Sequence, residues 1–132
     1  MFSLSRGNES NEAQVAESSN PPSFDEIMKI ISAGKRYVPG LYTAGTDRGQ
    51  DEETSNRIQQ QHLEYMFGLR AEGKLTLNGP LIDDSPIRGI CIFALEDTKE
   101  AGLLMANDPA VKAGRLNWEV HPWFGLPGDG LR

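Results

Sequence analysis

Apolar residues recur along the chain at two different periods, and the switches between them set the order of elements. Phe24, Ile27, Ile30 and Ile31 follow a helical repeat, with Ser23 and Glu26 ahead of them as a capping box, which predicts a short amphipathic helix over 23–34. Residues 36–44, RYVPGLYTA, are strand-like in Tyr, Val, Leu and Thr, but Pro39 and Gly40 are poor in the middle of a sheet. An edge strand or a bulged one is the expectation there. Glycines and an Asp mark 45–50 as a loop, and Asp51, Glu52 and Glu53 suit the first turn of a helix because their charge opposes the positive end of its dipole. Along that helix Ile58, His62, Tyr65, Met66 and Leu69 fall in one stripe about 100° wide, so His62 is turned toward the buried side. Leu63 and Phe67 lie on another side and call for a second packing body. The helix should run to about Arg70, with Gly73 as its stop.

Residues 74–78 alternate and read as a half-buried strand that Gly79 and Pro80 break, and Asp83, Asp84, Ser85 and Pro86 make a turn. The continuous apolar run 89–95, GICIFAL, predicts a central strand. Asp97 caps a short helix through Ala101, Leu104 and Met105 that must stop near Asn107-Asp108-Pro109, and 111–114 adds one helical turn. Residues 116–121 alternate Leu, Trp and Val with Asn, Glu and His, a strand with one polar face, and the chain from Pro122 reads as loop. The resulting order, β-α-β-β-α-β after an extra N-terminal helix, is the α+β, ferredoxin-like plan. Both helices then cover one face of the sheet, and the other face needs a cover that a second copy of the chain would provide, so a homodimer is expected. The organisation follows: a flexible tail over 1–22, rich in Ser, Asn and Glu, a leading helix over 23–35, a core domain over 36–124, and a C-terminal loop over 125–132.

Composition narrows the functions. Thirteen Lys+Arg against nineteen Asp+Glu leave a net charge of -6, so no broad basic face exists to meet nucleic acid or an anionic membrane. No apolar run reaches the roughly 20 residues of a membrane span, and the N-terminus lacks the plan of a signal peptide. The single Cys91 permits no internal disulfide and no cysteine-cluster metal site, as expected of a cytoplasmic chain. Neither metal nor cofactor is indicated: the two histidines and scattered carboxylates lack ligand spacing, and the glycine loop GTDRG over 45–49 lacks the lysine of a phosphate cradle. Within its apolar strand Cys91 reads as a small hydrophobe, and Trp118 and Trp123 as packing residues.

HLEYMFGLRAEGKLTLNGPLIDD over 62–84, followed by RGICIFALEDTKEAGLLMANDPAVKAGRLNWEVHPW over 88–123, closely resembles the YCII-related (YciI-like) family of small dimeric α/β-barrel proteins. The specific parts are the helix histidine before a Gly-Lys-Leu strand, Gly79-Pro80, Asp108-Pro109 with Lys112-Ala113-Gly114, and the strand end Glu119-Val120-His121-Pro122. The resemblance covers about 36–124, outside which lies the 1–35 extension. It implies a dimer of ferredoxin-like subunits and an active-site pair of histidine and aspartate, which fall here on His62 and Asp108. The clearest enzymatic relatives remove chloride from a hydroxylated aromatic ring.

A histidine whose second nitrogen meets a carboxylate can move protons near neutral pH. The expectation is therefore acid–base chemistry by His62 and Asp108 on a small organic molecule, with Asp83, Asp84, Tyr42 and His121 as further pocket candidates. The bland reading is a hydrogen-bonded core histidine and a helix cap, in a non-catalytic ligand-binding or regulatory dimer. The residues alone do not decide between enzyme and binding module.

Overall fold

The computed structural model describes residues 20–132. The expected tail over 1–22 therefore lies outside the described residues, apart from its last three. One compact unit spans Arg36–Phe124, and the described residues 20–35 and those from Gly125 onward belong to another. In the latter, α1 (Phe24–Ile31) starts at Ser23 with a complete capping box, Ser23 Oγ accepting from Glu26 N–H and Glu26 from Ser23 N–H. None of its residues is buried.

The main unit runs β1 (Lys35–Ala44), α2 (Glu52–Ala71), β2 (Leu75–Pro80), β3 (Ile87–Phe93), α3 (Thr98–Ala106), α4 (Pro109–Lys112), β4 (Leu116–Val120) and β5 (Trp123–Gly125). Its sheet has the order β2-β3-β1-β4, with antiparallel neighbours throughout, which is the ferredoxin-like arrangement. The side-chain signals start α2 and α3 where expected, and each helix of the unit opens on an aspartate cap. Asp51 accepts from Thr54 N–H, Asp97 from Lys99 N–H, and Asp108 from Ala110 N–H. Gly73, at φ 77°, stands just past the end of α2 in the conformation that favours glycine.

Four expectations change. β1 is not an edge strand; it lies between β3 and β4, with its irregularity at Tyr42/Thr43. Pro39 is tolerated because its carbonyl accepts from His121 N–H, so its own nitrogen faces the same side, just past Val120 where β4 ends. Gly40 is required by packing: a Cβ there would stand 2.8 Å from Met105 Cε and 2.9 Å from Cys91 Sγ. Gly79 and Pro80 do not break β2 but pair with Ile90 and Gly89, since β2 is an edge strand whose outer side needs no partner. The last helical turn begins at Pro109, whose missing N–H costs nothing at a first helical position. Residues after Pro122, expected as loop, include the short β5, which pairs with β1; the Trp123 ring lies 6.3 Å from that of Tyr37.

The core sits between the sheet and helices α2 and α3. Val38, Tyr42, Leu75, Cys91 and Phe93 from the strands meet Met66, Leu69, Ala101 and Met105 from the helices. Alternation sends the intervening residues to the opposite face, where Leu41 pairs with Ile90 on one side and Glu119 on the other, and Pro39 pairs with Ile92. That face is mixed, and Ile90 remains 42% exposed.

Candidate functional site

Asp108 is the one buried charged residue of the described chain, at 0% exposure. It stands at the junction of α3 and α4, where its first oxygen is taken by the Ala110 N–H at 2.8 Å. Its second oxygen, Oδ2, accepts from the Tyr42 hydroxyl at 2.7 Å and lies 2.6 Å from His62 Nδ1. A carboxylate only accepts, so Nδ1 carries the proton and Nε2 is left as the free nitrogen. Three donors on one carboxylate compensate for its burial.

The sequence places these groups by simple local means. His62 belongs to the inward stripe of α2, one turn from Ile58 and Met66, both buried. Tyr42 is on the helix-facing side of β1, between α2 and α4, with its ring edge-on to the imidazole at a 5.3 Å centroid distance. Burial first, and the Asp108 charge second, push the Tyr42 hydroxyl far above the ordinary tyrosine range. It stays a neutral donor, and its oxygen is also 3.3 Å from Met66 Sδ.

Beside His62 opens a cavity of about 280 Å³. Ile58, Leu63, Met66, Ala110 and Leu116 give it apolar walls; Gln59, Asn78, Arg48, Arg88 and Arg115 add polar and cationic groups. The His62 side chain is 15% exposed there, so the imidazole is accessible while its partner Asp108 is sealed behind it. A histidine held in this way can exchange a proton through Nε2 with a molecule in the cavity.

Of the residues singled out from sequence, the structure brings His62, Asp108 and Tyr42 together. It does not bring the other three to the cavity. Asp83 Oδ1 accepts from Ser85 N–H in an exposed turn, Asp84 is exposed beside it, and neither lines the cavity. His121 lies on the polar face past β4 and pairs through Nε2 with Glu119 at 2.6 Å, both side chains being more than half exposed. Leu63 lines the cavity, and Phe67 is exposed with the Arg70 guanidinium 5.2 Å over its ring. The three arginines were missed. Arg48 sits in the very loop set aside for lacking a lysine, Arg88 follows the 83–86 turn, and Arg115 precedes β4; no local pattern links them. Among the described residues, no three His, Cys, Asp or Glu side chains are placed to hold a metal ion. No described helix is long and apolar enough to cross a membrane.

The YCII-related domain matches residues 41–124, and the chain belongs to that family. Among solved structures it is similar to the 5-chloro-2-hydroxyhydroquinone dehydrochlorinase TftG of Burkholderia phenoliruptrix AC1100, in complex with 2,5-dihydroxybenzoquinone. The two share 22% identity and a TM-score of 0.50, over 65% of this chain and 92% of the other. At that identity the likeness speaks for the fold. No match was found among curated proteins.

Proposed function

We propose that this member of the YCII-related family is an enzyme that moves a proton on a small organic molecule, with His62 as the acid or base and Asp108 as the residue that orients it. One observation carries the reading: His62 stands in a cavity wall with its inner nitrogen 2.6 Å from a wholly buried carboxylate. A core histidine would have no need of the cavity, and a helix cap no need of Tyr42 and His62 on its second oxygen. In the forward step Nε2 takes a proton from an O–H or C–H of the substrate, and the electron pair of that bond stays on the substrate. The imidazolium so formed is steadied by Asp108, and the same proton returns to substrate or product in a later step. The Tyr42 hydroxyl keeps Oδ2 aimed at Nδ1. The structural relative acts on a chlorinated, hydroxylated aromatic ring, and a cavity of about 280 Å³ with apolar walls suits a single ring of that kind.

We further propose that the protein works as a cytoplasmic homodimer paired across the uncovered sheet face. Leu41, Ile90 and Ile92 give that face its apolar centre.

The test is turnover of a panel of hydroxylated and chlorinated aromatics and small organic acids, followed by substrate loss, in wild type and His62→Ala. Some compound should be consumed by the wild type, at a rate that falls at least about a hundredfold in the variant, the usual worth of a positioned acid or base. Undiminished turnover in His62→Ala removes the proposal. Compounds that raise the melting temperature of both proteins alike, with none consumed, would point instead to a binding module.

A further inference from the structure

We infer that the cavity beside His62 takes a small organic acid as its anion, with Arg48, Arg88 and Arg115 holding the charge. The inference deepens the reading above, since it takes that cavity as the substrate site, but it rests on different residues.

The chain as a whole is acidic, with nineteen Asp+Glu to thirteen Lys+Arg. Its cavity is the reverse. Three arginines line it and, among the described residues, no Asp or Glu does; Asp108 stands behind His62 and is engaged by its three donors. None of the three arginines has a carboxylate within ion-pair distance among the described residues. Each is held by neutral oxygens through one terminal nitrogen: Arg48 by the Arg115 carbonyl, Arg88 by the Ser85 and Asp83 carbonyls at 3.1 and 3.4 Å, and Arg115 by Gln50 Oε1 at 2.8 Å and Ser55 Oγ at 3.3 Å. Those contacts fix the positions of the guanidinium groups without spending their charge. A guanidinium offers five N–H donors, so most of each fork remains for another acceptor.

Like charges gathered this way repel, and the effect is visible on Arg48, held below its ordinary range by burial first, then by Arg115 and by Arg88. An anion in the cavity relieves that repulsion and completes the forks, whereas a neutral guest can accept from the forks but leaves the repulsion in place, and a cationic one does neither. The apolar walls from Ile58, Leu63, Met66 and Leu116 ask for a carbon body attached to the charge, which an inorganic ion lacks. At about 280 Å³ the space is at the small end of ligand cavities, too small for a nucleotide. The cations also serve the proton transfer: negative charge that builds on the substrate when Nε2 takes its proton is stabilised by the same arginines.

Benzoate and its neutral isostere benzamide, titrated calorimetrically into the full chain at low salt, test the inference. Benzoate should bind at least about tenfold more tightly than benzamide, and Arg48→Gln or Arg88→Gln should weaken benzoate by about tenfold or more, the loss of a charge-assisted hydrogen bond, and benzamide much less. Should either variant fail to fold, benzoate added to the wild type should shift the Nε–Hε resonances of Arg48 and Arg88. His62→Ala should keep benzoate binding. Retained benzoate binding there, with turnover lost, separates anion recognition from proton transfer, and benzoate bound through the arginines in a protein without turnover would leave this inference standing while the catalytic reading fell. No benzoate binding, equal binding of benzamide, arginine variants that bind benzoate like the wild type, or unmoved arginine resonances would each overturn it.

Discussion

Replacing Asp108 by Asn is the sharpest perturbation of the site, because it removes a charge without opening a hole. Asn is as good a cap as Asp, so the 2.8 Å bond from Ala110 N–H to Oδ1 survives. On the other branch an amide NH2 replaces Oδ2, and a donor now faces two donors, the Tyr42 hydroxyl and His62 Nδ1–H. Tyr42 can rotate its proton, since Met66 Sδ is already 3.3 Å away. His62 must instead change tautomer, accepting at Nδ1 and carrying its proton on Nε2. Two charge-assisted bonds, each worth about 1.5–3 kcal/mol net, are exchanged for weaker neutral ones, and the re-pairing returns part of the loss, so unfolding free energy should drop by about 2–3 kcal/mol. Urea denaturation measures that drop. Long-range 15N–1H correlation of the imidazole reports the tautomer directly, and it should switch from Nδ1–H in wild type to Nε2–H in the variant. With a proton on Nε2 the neutral ring has no lone pair for the cavity, so turnover should fall as far as in His62→Ala. An unchanged tautomer together with a loss under about 0.5 kcal/mol would refute the account of Asp108 as the acceptor that sets the histidine.

Three further outcomes are expected. Gly40→Ala should destabilise by about 1–3 kcal/mol in urea titrations, since its Cβ would press on Met105 Cε at 2.8 Å and Cys91 Sγ at 2.9 Å; no change would mean that β1 and α3 are less closely packed than described. Burial pushes the Cys91 thiol up from 9.0 to about 12. The unfolded chain therefore gives up this proton first as pH rises, and Cys91 removes stability between about pH 9 and 12 at up to about 1.4 kcal/mol per pH unit; the buried Tyr42 adds its own loss above about pH 10, so the decline in Cys91→Ala should start later and be shallower, and parallel pH profiles would contradict it. Ile90→Asp, on the uncovered sheet face, should convert a dimer to a folded monomer by sedimentation, and a wild type already monomeric at micromolar concentration would rule out pairing through this face.

Much of this protein was legible in its letters because the rules involved are local. The Ser23–Glu26 box, the cap at Asp97 and the stop at Gly73 act within a few residues, and the structure has them all. Helical spacing alone turned His62 inward, and alternation separated the two faces of β4. Where packing between distant segments decides, local pattern misleads. Pro39 and Gly40 argued for an edge or a bulged strand; β1 is interior, its irregularity falls at Tyr42/Thr43 instead, and the two residues fit because the proline's bare nitrogen meets the end of β4 and the glycine makes room for a side chain 65 positions on. The bond between His62 and Asp108 joins residues 46 apart, and the family pattern named the pair without showing that Tyr42 shares the same carboxylate oxygen. Arg48, Arg88 and Arg115 carry no periodic signal at all: a surface arginine and a cavity arginine look alike in one dimension, and only the closing of three segments around α2 puts them in one wall. Short-range geometry is written in neighbouring residues, whereas the charge of a cavity is a sum over segments that meet only after folding.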